Sequence, residues 1–223
     1  MKCKEERFLR DVKDHTMEVI LDCGDHRHLS FTNNGSSCYR FDLITWPGSL
    51  CIKGDCGTYV FSRTTDMFCF FRTDRNDFNY NKDGMSINPG YWAEKMQTEK
   101  TYNRGEVFNE ELIVESILEH ASQTCDDLDF FDYGDCNGDT FDSQEDFKRA
   151  HLEEIKEHFK YKDMDENRFC SAIEDFSSEI SDDLNFVDEW EWVETHEYSF
   201  HYLWCLYAIV HGISIYDNSK DSK

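Results

Sequence analysis

A chain of 223 residues with 47 acidic against 23 basic side chains carries a formal net charge of −24, and repulsion argues against direct binding of DNA or of an anionic membrane by the acidic half that holds this charge. Its 18 Phe, 11 Tyr and 5 Trp are too many for a disordered polyelectrolyte, so a folded protein is expected. The opening MKCKEERFLRDVKDH lacks the apolar core of a signal peptide, and the longest apolar stretch, Tyr202 to Ile209, is far short of the ~20 residues of a membrane span. The expectation is a cytoplasmic protein, with no membrane contact and its ten cysteines kept as reduced, mostly buried thiols.

Taken in chain order, residues 5 to 16 place Phe8, Leu9 and Val12 at helix spacing, and Met17 to Leu21 reads as a strand. A turn at Cys23-Gly24-Asp25 leads to a strand at His28 to Thr32, and a loop at Asn33 to Ser37 leads to a third at Cys38 to Thr45. In that third run Tyr39, Phe41 and Leu43 are expected on one face, and Pro47 ends it. Leu50 to Lys53 and Thr58 to Ser62 flank Gly54-Asp55-Cys56-Gly57, a connection of hairpin length. Thr64, Thr65 and Asp66 then offer capping oxygens to Met67, Phe68, Phe70 and Phe71.

The residues FDLITWPG, GDCGTYVFSR and DMFCFFR within Phe41 to Arg72 resemble a family of uncharacterised proteins encoded by temperate phages and prophages of enteric bacteria. The resemblance continues through GYWAEKM (Gly90 to Met96) and FHYLWCLYAIVHGI (Phe200 to Ile213), and so covers most of the chain. It implies a phage origin and assigns no site.

Thr73 to Gly90 is polar and turn-rich. Tyr91 to Met96 reads as a short helix, and Asn109 can cap a longer one with a stripe of Leu112, Ile113, Ile117 and Leu118. Phe147 to Phe159 and Asn167 to Phe176 repeat helix spacing, while Phe200 to Val210 is apolar on most sides, as in a buried helix. Charge divides near Asn103-Arg104-Gly105. Residues 1–108 hold 16 acids and 15 bases, whereas residues 109–223 hold 31 and 8. The reading is an α+β protein with an N-terminal antiparallel sheet and flanking helices over 1–104. An acidic, mainly helical portion follows over 105–223, its last helix packing on the first part.

No nucleophile elbow, phosphate loop, dinucleotide fingerprint or zinc-protease helix occurs, so no cofactor and no catalytic residue is expected. Asp135 to Asp139 resembles the start of a calcium loop, yet its register puts Tyr133 and Gln144 where carboxylates belong. His26 with His28, and His151 with His158 beside Glu154, lack further converging groups and read as solvated; Asp163 with Asp165 suits magnesium for phosphoryl or glycosyl transfer, although in a half with 31 acids such pairs arise by chance. Lys53, Arg63, Arg72 and Arg75 offer a basic face to the neutral half.

What stands out is acid interleaved with aromatics. Asp126, Asp127, Asp129, Phe130, Asp132 and Asp135 form one cluster; Asp182, Asp183, Asp188, Glu189, Trp190, Glu191, Trp192 and Glu194 form the other. Duplex DNA carries one negative charge per ~1.7 Å of axis, and rows of carboxylates can take its place on a basic protein. The expected function is therefore a non-enzymatic inhibitor of anti-CRISPR or anti-restriction type, whose partner is a host nucleic-acid-binding complex. A metal-dependent phosphoryl-transfer enzyme and a structural or regulatory module that forms a homo-oligomer are the alternatives.

Overall fold

The computed structural model describes residues 3–72, 84–97, 105–133, 141–160, 165–181, 184–185 and 196–221. The protein is α+β, with an N-terminal five-stranded antiparallel sheet and a helical C-terminal part. The chain divides into a sheet unit, residues 1–107 with 198–223, and a second unit, residues 108–197.

The sheet is a meander of β1 (Thr16–Cys23), β2 (His26–Thr32), β3 (Phe41–Trp46), β4 (Ser49–Gly54) and β5 (Gly57–Ser62), each paired with the next in sequence. Three of the four connections are two-residue turns, closed by the pairs Cys23↔His26, Trp46↔Ser49 and Gly54↔Gly57. At the last of these Gly57 takes φ +109°, and a Cβ on Gly54 would lie 2.1 Å from the Arg40 carbonyl oxygen. Both positions of this hairpin therefore demand glycine. The predicted third strand is shorter than expected. It begins at Phe41, and Tyr39 sits at φ +52°, outside the alternation assigned to it. That conformation is compensated by contacts: the Tyr39 amide donates to Asp55 (2.8 Å), its hydroxyl accepts from Arg7 (3.0 Å), and its ring stacks on Trp204 (5.6 Å).

One face of the sheet is apolar. Leu29, Phe31, Phe41, Leu43, Leu50, Ile52 and Phe61 are buried there with residues of α1 (Glu5–Val12), α2 (Met67–Phe71) and α3 (Pro89–Ala93). The helix that completes this core is α7 (Phe200–Asp221), which buries Tyr202, Trp204, Leu206, Ile209 and Ile213 and runs well past the predicted Val210. Trp204 packs edge-on against Phe8 and Phe41 and donates its indole N–H to Asp11 (3.3 Å). Gly212 brings α7 close to the sheet, since a Cβ there would lie 2.6 Å from Leu43 and 3.0 Å from Phe31. Asp66 caps α2 through the Phe68 amide, and Arg27 of β2 grips the same carboxylate (2.9 and 3.3 Å) while lying 4.6 Å over the Phe68 ring.

The second unit contains α4 (Glu110–Asp127), α5 (Gln144–His158) and α6 (Glu166–Glu174), capped by Asn109, Ser143 and Asp165. Ile113, Ile117, Ile155, Phe169 and Ile173 make one core, and Cys125, Phe147 and Leu184 a second. Two short strands, β6 (Glu106–Phe108) and β7 (His196–Tyr198), pair where the chain passes from one unit to the other. Among the described residues, no helix is long and apolar enough to cross a membrane. Burial pushes the Cys3 and Cys125 thiols up to about 11 and Cys56 up to about 12, so these stay protonated at neutral pH.

Candidate functional site: the acidic unit

The charge of the chain follows its structural division. Residues 108–197 hold 29 acids and 6 bases, a net charge of −23, which leaves −1 for the sheet unit. Local geometry keeps that charge uncompensated. Of the described bases in the acidic unit, Lys148 pairs with Asp126 (2.8 Å), Arg149 with Asp146, Lys160 with Glu157 (2.9 Å) and Arg168 with Asp165 (3.8 Å). Glu111, Glu115 and Glu119 recur every fourth residue on the exposed face of α4, a rise of about 6 Å per step. No base lies within ion-pair distance of them, or of Asp127, Asp129 and Asp132, among the described residues.

At its C-terminal end this stripe runs into the first acid–aromatic cluster. Asp126 and Asp127 end α4, and Asp129 accepts from the Phe131 amide (3.2 Å) to start a 3-10 turn over Phe130–Asp132. The turn separates the two phenylalanines. Phe130 packs against the core of Cys125, Phe147 and Leu184, whereas Phe131 is 71% exposed among the carboxylates. The outward ring of the pair is thus Phe131, whereas the expected surface named Phe130. The doublet Phe-Phe gives no hint of which ring is outward, because the chain leaves the α4 helix at Leu128 and with it the register of the apolar stripe.

Among the described residues of this unit, two clefts join acidic and apolar side chains. One, of about 510 Å³, is lined by Glu153, Glu154, Glu157 and Glu179 with apolar walls from Phe141 and Ile180. The other, of about 600 Å³, lies at the start of α4 among Glu110, Glu111 and Glu115, with Phe108, Val114 and Phe159. Each joins carboxylates to aromatic surface, as needed to hold the head and stem of an arginine or lysine side chain. The first cleft is shaped by Glu154, whose carboxylate accepts from His151 Nδ1 (3.2 Å), the Ser178 hydroxyl (2.8 Å) and the Glu179 amide (3.0 Å). Burial alone would raise the pKa of Glu154; these hydrogen bonds outweigh it and hold the carboxyl below its ordinary value.

The other predicted groups fall elsewhere. His151 is 1% exposed, so the solvated position expected for it is corrected: its ring is a structural donor to Glu154. His158, half-buried, is bound to the Ala172 carbonyl (2.6 Å). Asp165 is spent on capping α6, accepting from the Arg168 amide (2.9 Å), and Asp163 lies outside the described residues. His28 stands on the outer sheet face 3.8 Å from Asp42. Of the basic face, Arg72 is paired with Asp217 (2.7 Å) and Arg75 lies outside the described residues. Asp135, the calcium-like loop at 135–139, and Asp182, Asp183, Asp188, Glu189, Trp190, Glu191, Trp192 and Glu194 also lie outside them. Among the described residues, no three His, Cys, Asp or Glu side chains converge as cation ligands. No family model, curated protein or solved structure matches the chain.

Proposed function

We propose that the acidic unit docks on the basic, nucleic-acid-binding surface of a partner protein and occupies the place of a nucleic-acid backbone. The observation that carries this reading is the segregation of charge, −23 in residues 108–197 and −1 in the remainder. A compact unit of 90 residues has a radius of gyration of about 12 Å and spans ~30 Å, a length over which duplex DNA presents roughly 18 charges. The two charge densities are comparable. The stripe of Glu111, Glu115 and Glu119 supplies an ordered row, Phe131 supplies an apolar anchor among carboxylates, and the two clefts supply seats for partner arginines or lysines. The resemblance to phage and prophage proteins supports a finer reading, an inhibitor of a host defence complex of anti-CRISPR or anti-restriction type.

The test is capture of partners from a bacterial lysate by the tagged chain at ~0.1 and ~0.5 M salt, concentrations that differ strongly in screening. Basic nucleic-acid-binding proteins retained only at the lower salt are expected. The triple variant Glu111→Lys, Glu115→Lys, Glu119→Lys and, separately, Phe131→Ala should each lose them. Undiminished capture by both variants sinks the reading.

A further inference from the structure

The sheet treats its two edges differently. At β5 the edge is closed: the Ser62 amide donates to the Lys95 carbonyl (3.0 Å), the Gln97 amide donates to the Val60 carbonyl (2.7 Å), and Met96 bridges Phe61. At β1 no strand among the described residues pairs with the outer side. The middle of that edge is apolar, with Val19, Ile20 and Leu21 exposed at 46, 52 and 49%. A bare edge of this kind is a template for a further strand.

The occupant is constrained by a bulge. Val19 pairs with Leu29 but Leu21 pairs with His28, so Ile20 is an extra residue and the side-chain alternation reverses across it. Before the bulge Met17 and Val19 lie on the helix-covered side, opposite Phe31 and Leu29; after it Asp22 lies on that side, opposite Arg27, and Leu21 on the other. A strand meeting its own copy about a two-fold axis must match faces, and this excludes registers that pair Ile20 with itself. The register that keeps faces matched and centres the apolar residues sets Val19 opposite Ile20 of the second copy, Glu18 opposite Leu21, Met17 opposite Asp22 and Thr16 opposite Cys23. Four apolar side chains then meet at the centre with acids at the flanks. Asp22, the flanking acid on the helix side, is already paired with Lys220. The sheet unit taken by itself carries only −1, so it repels a second copy of itself little. We infer that β1 pairs antiparallel with β1 of a second copy of this chain, joining two five-stranded sheets into one.

Eight paired residues make an edge about 27 Å long, which buries less than the ~800 Å² per partner of a standard interface, so the dimer is a weak one. Light scattering of the full chain from ~1 to ~300 µM should show the mass rise from 26.5 kDa toward twice that value. Each copy carries −24, so raising the salt from ~0.05 to ~0.5 M should move the transition to lower concentration. That dependence is opposite to the one expected for partner capture by the acidic unit, and the two ideas fail separately. Ile20→Lys, at a side chain already half in water, should keep the wild-type melt and stay monomeric. Register is read from Thr16→Cys in a Cys38→Ser, Cys69→Ser, Cys136→Ser background. Oxidised glutathione should link it to Cys23 of the second copy, and Cys23→Ser should abolish the link. A monomeric mass at every concentration in ~0.5 M salt overturns the inference and leaves the edge to a strand of another protein. So does a dimer that survives Ile20→Lys, or a cross-link that does not need Cys23.

Discussion

Replacing Glu154 by alanine tests what ties the Ser178–Glu179 segment to α5. The substitution strips the acceptor from His151 Nδ1, the Ser178 hydroxyl and the Glu179 amide at once. A hydrogen bond to a charged group contributes about 1.5–3 kcal/mol. The Glu179 amide can turn to water at an exposed position, whereas His151 at 1% and Ser178 at 8% exposure have little access to it. Counting those two and discounting for the 21% exposure of the Glu154 side chain, the expected loss is about 2–3 kcal/mol, or roughly 4–12 °C in melting temperature for a chain of this size. Glu154→Gln keeps one acceptor oxygen and should lose about half as much. The sign with pH follows from the lowered pKa. The carboxylate's contribution is complete above its unfolded value near 4.5 and is lost as pH falls through the lower folded value. Melts followed by circular dichroism at neutral pH and at about pH 3.5 should therefore show the gap between wild type and Glu154→Gln closing in acid. An alanine variant that melts within about 1 °C of wild type, or a glutamine gap that is the same at both pH values, refutes the reasoning.

Two further outcomes follow from the sheet unit. Arg27→Met leaves the Asp66 carboxylate without its cation and the Phe68 ring uncovered, and should cost about 2–3 kcal/mol in urea denaturation; Arg27→Lys, which keeps the charge but not the two-point grip, should cost about half. Gly212→Ala gains up to about 1 kcal/mol of helix propensity but drives a methyl against Leu43 and Phe31, so a net loss of about 1 kcal/mol is expected. Adding Leu43→Val should relieve the clash, with a favourable coupling of about 1 kcal/mol in the double-mutant cycle; strict additivity contradicts the packing argument.

The sheet was legible because its signals are local. Glycine and proline stand at the three tight turns, and alternation runs through Leu29 to Phe31, Phe41 to Leu43 and Leu50 to Ile52. Capping by Asp66 and Asn109 was legible for the same reason, a short polar side chain just before an apolar run. Tyr39 was not, since a left-handed aromatic is held by Asp55, Arg7 and Trp204, residues distant in sequence. Nor was the far half of α7. After Val210 its polar residues, among them His211, Ser214 and Asp217, interrupt the apolar pattern, while Gly212, Ile213 and Tyr216 remain buried. Within the acidic unit, which of Phe130 and Phe131 faces outward and the burial of His151 depend on packing that no spacing encodes.

The acidic unit is an excursion from the middle of another one. The chain leaves the sheet unit after Val107 and returns at Tyr198, and beside that junction the Ser199 amide donates to the Gly105 carbonyl at 2.7 Å. Points of departure and return lie next to each other, so residues 108–197 can be exchanged for a short turn without stretching the sheet unit. Continuity has a cost in time. The last strand of the sheet ends at Ser62, but the helix that covers it is complete only at Asp221. At ~5–20 residues per second a ribosome needs roughly 8–30 s to make the intervening 159 residues, and during that interval the nascent sheet waits without its lid.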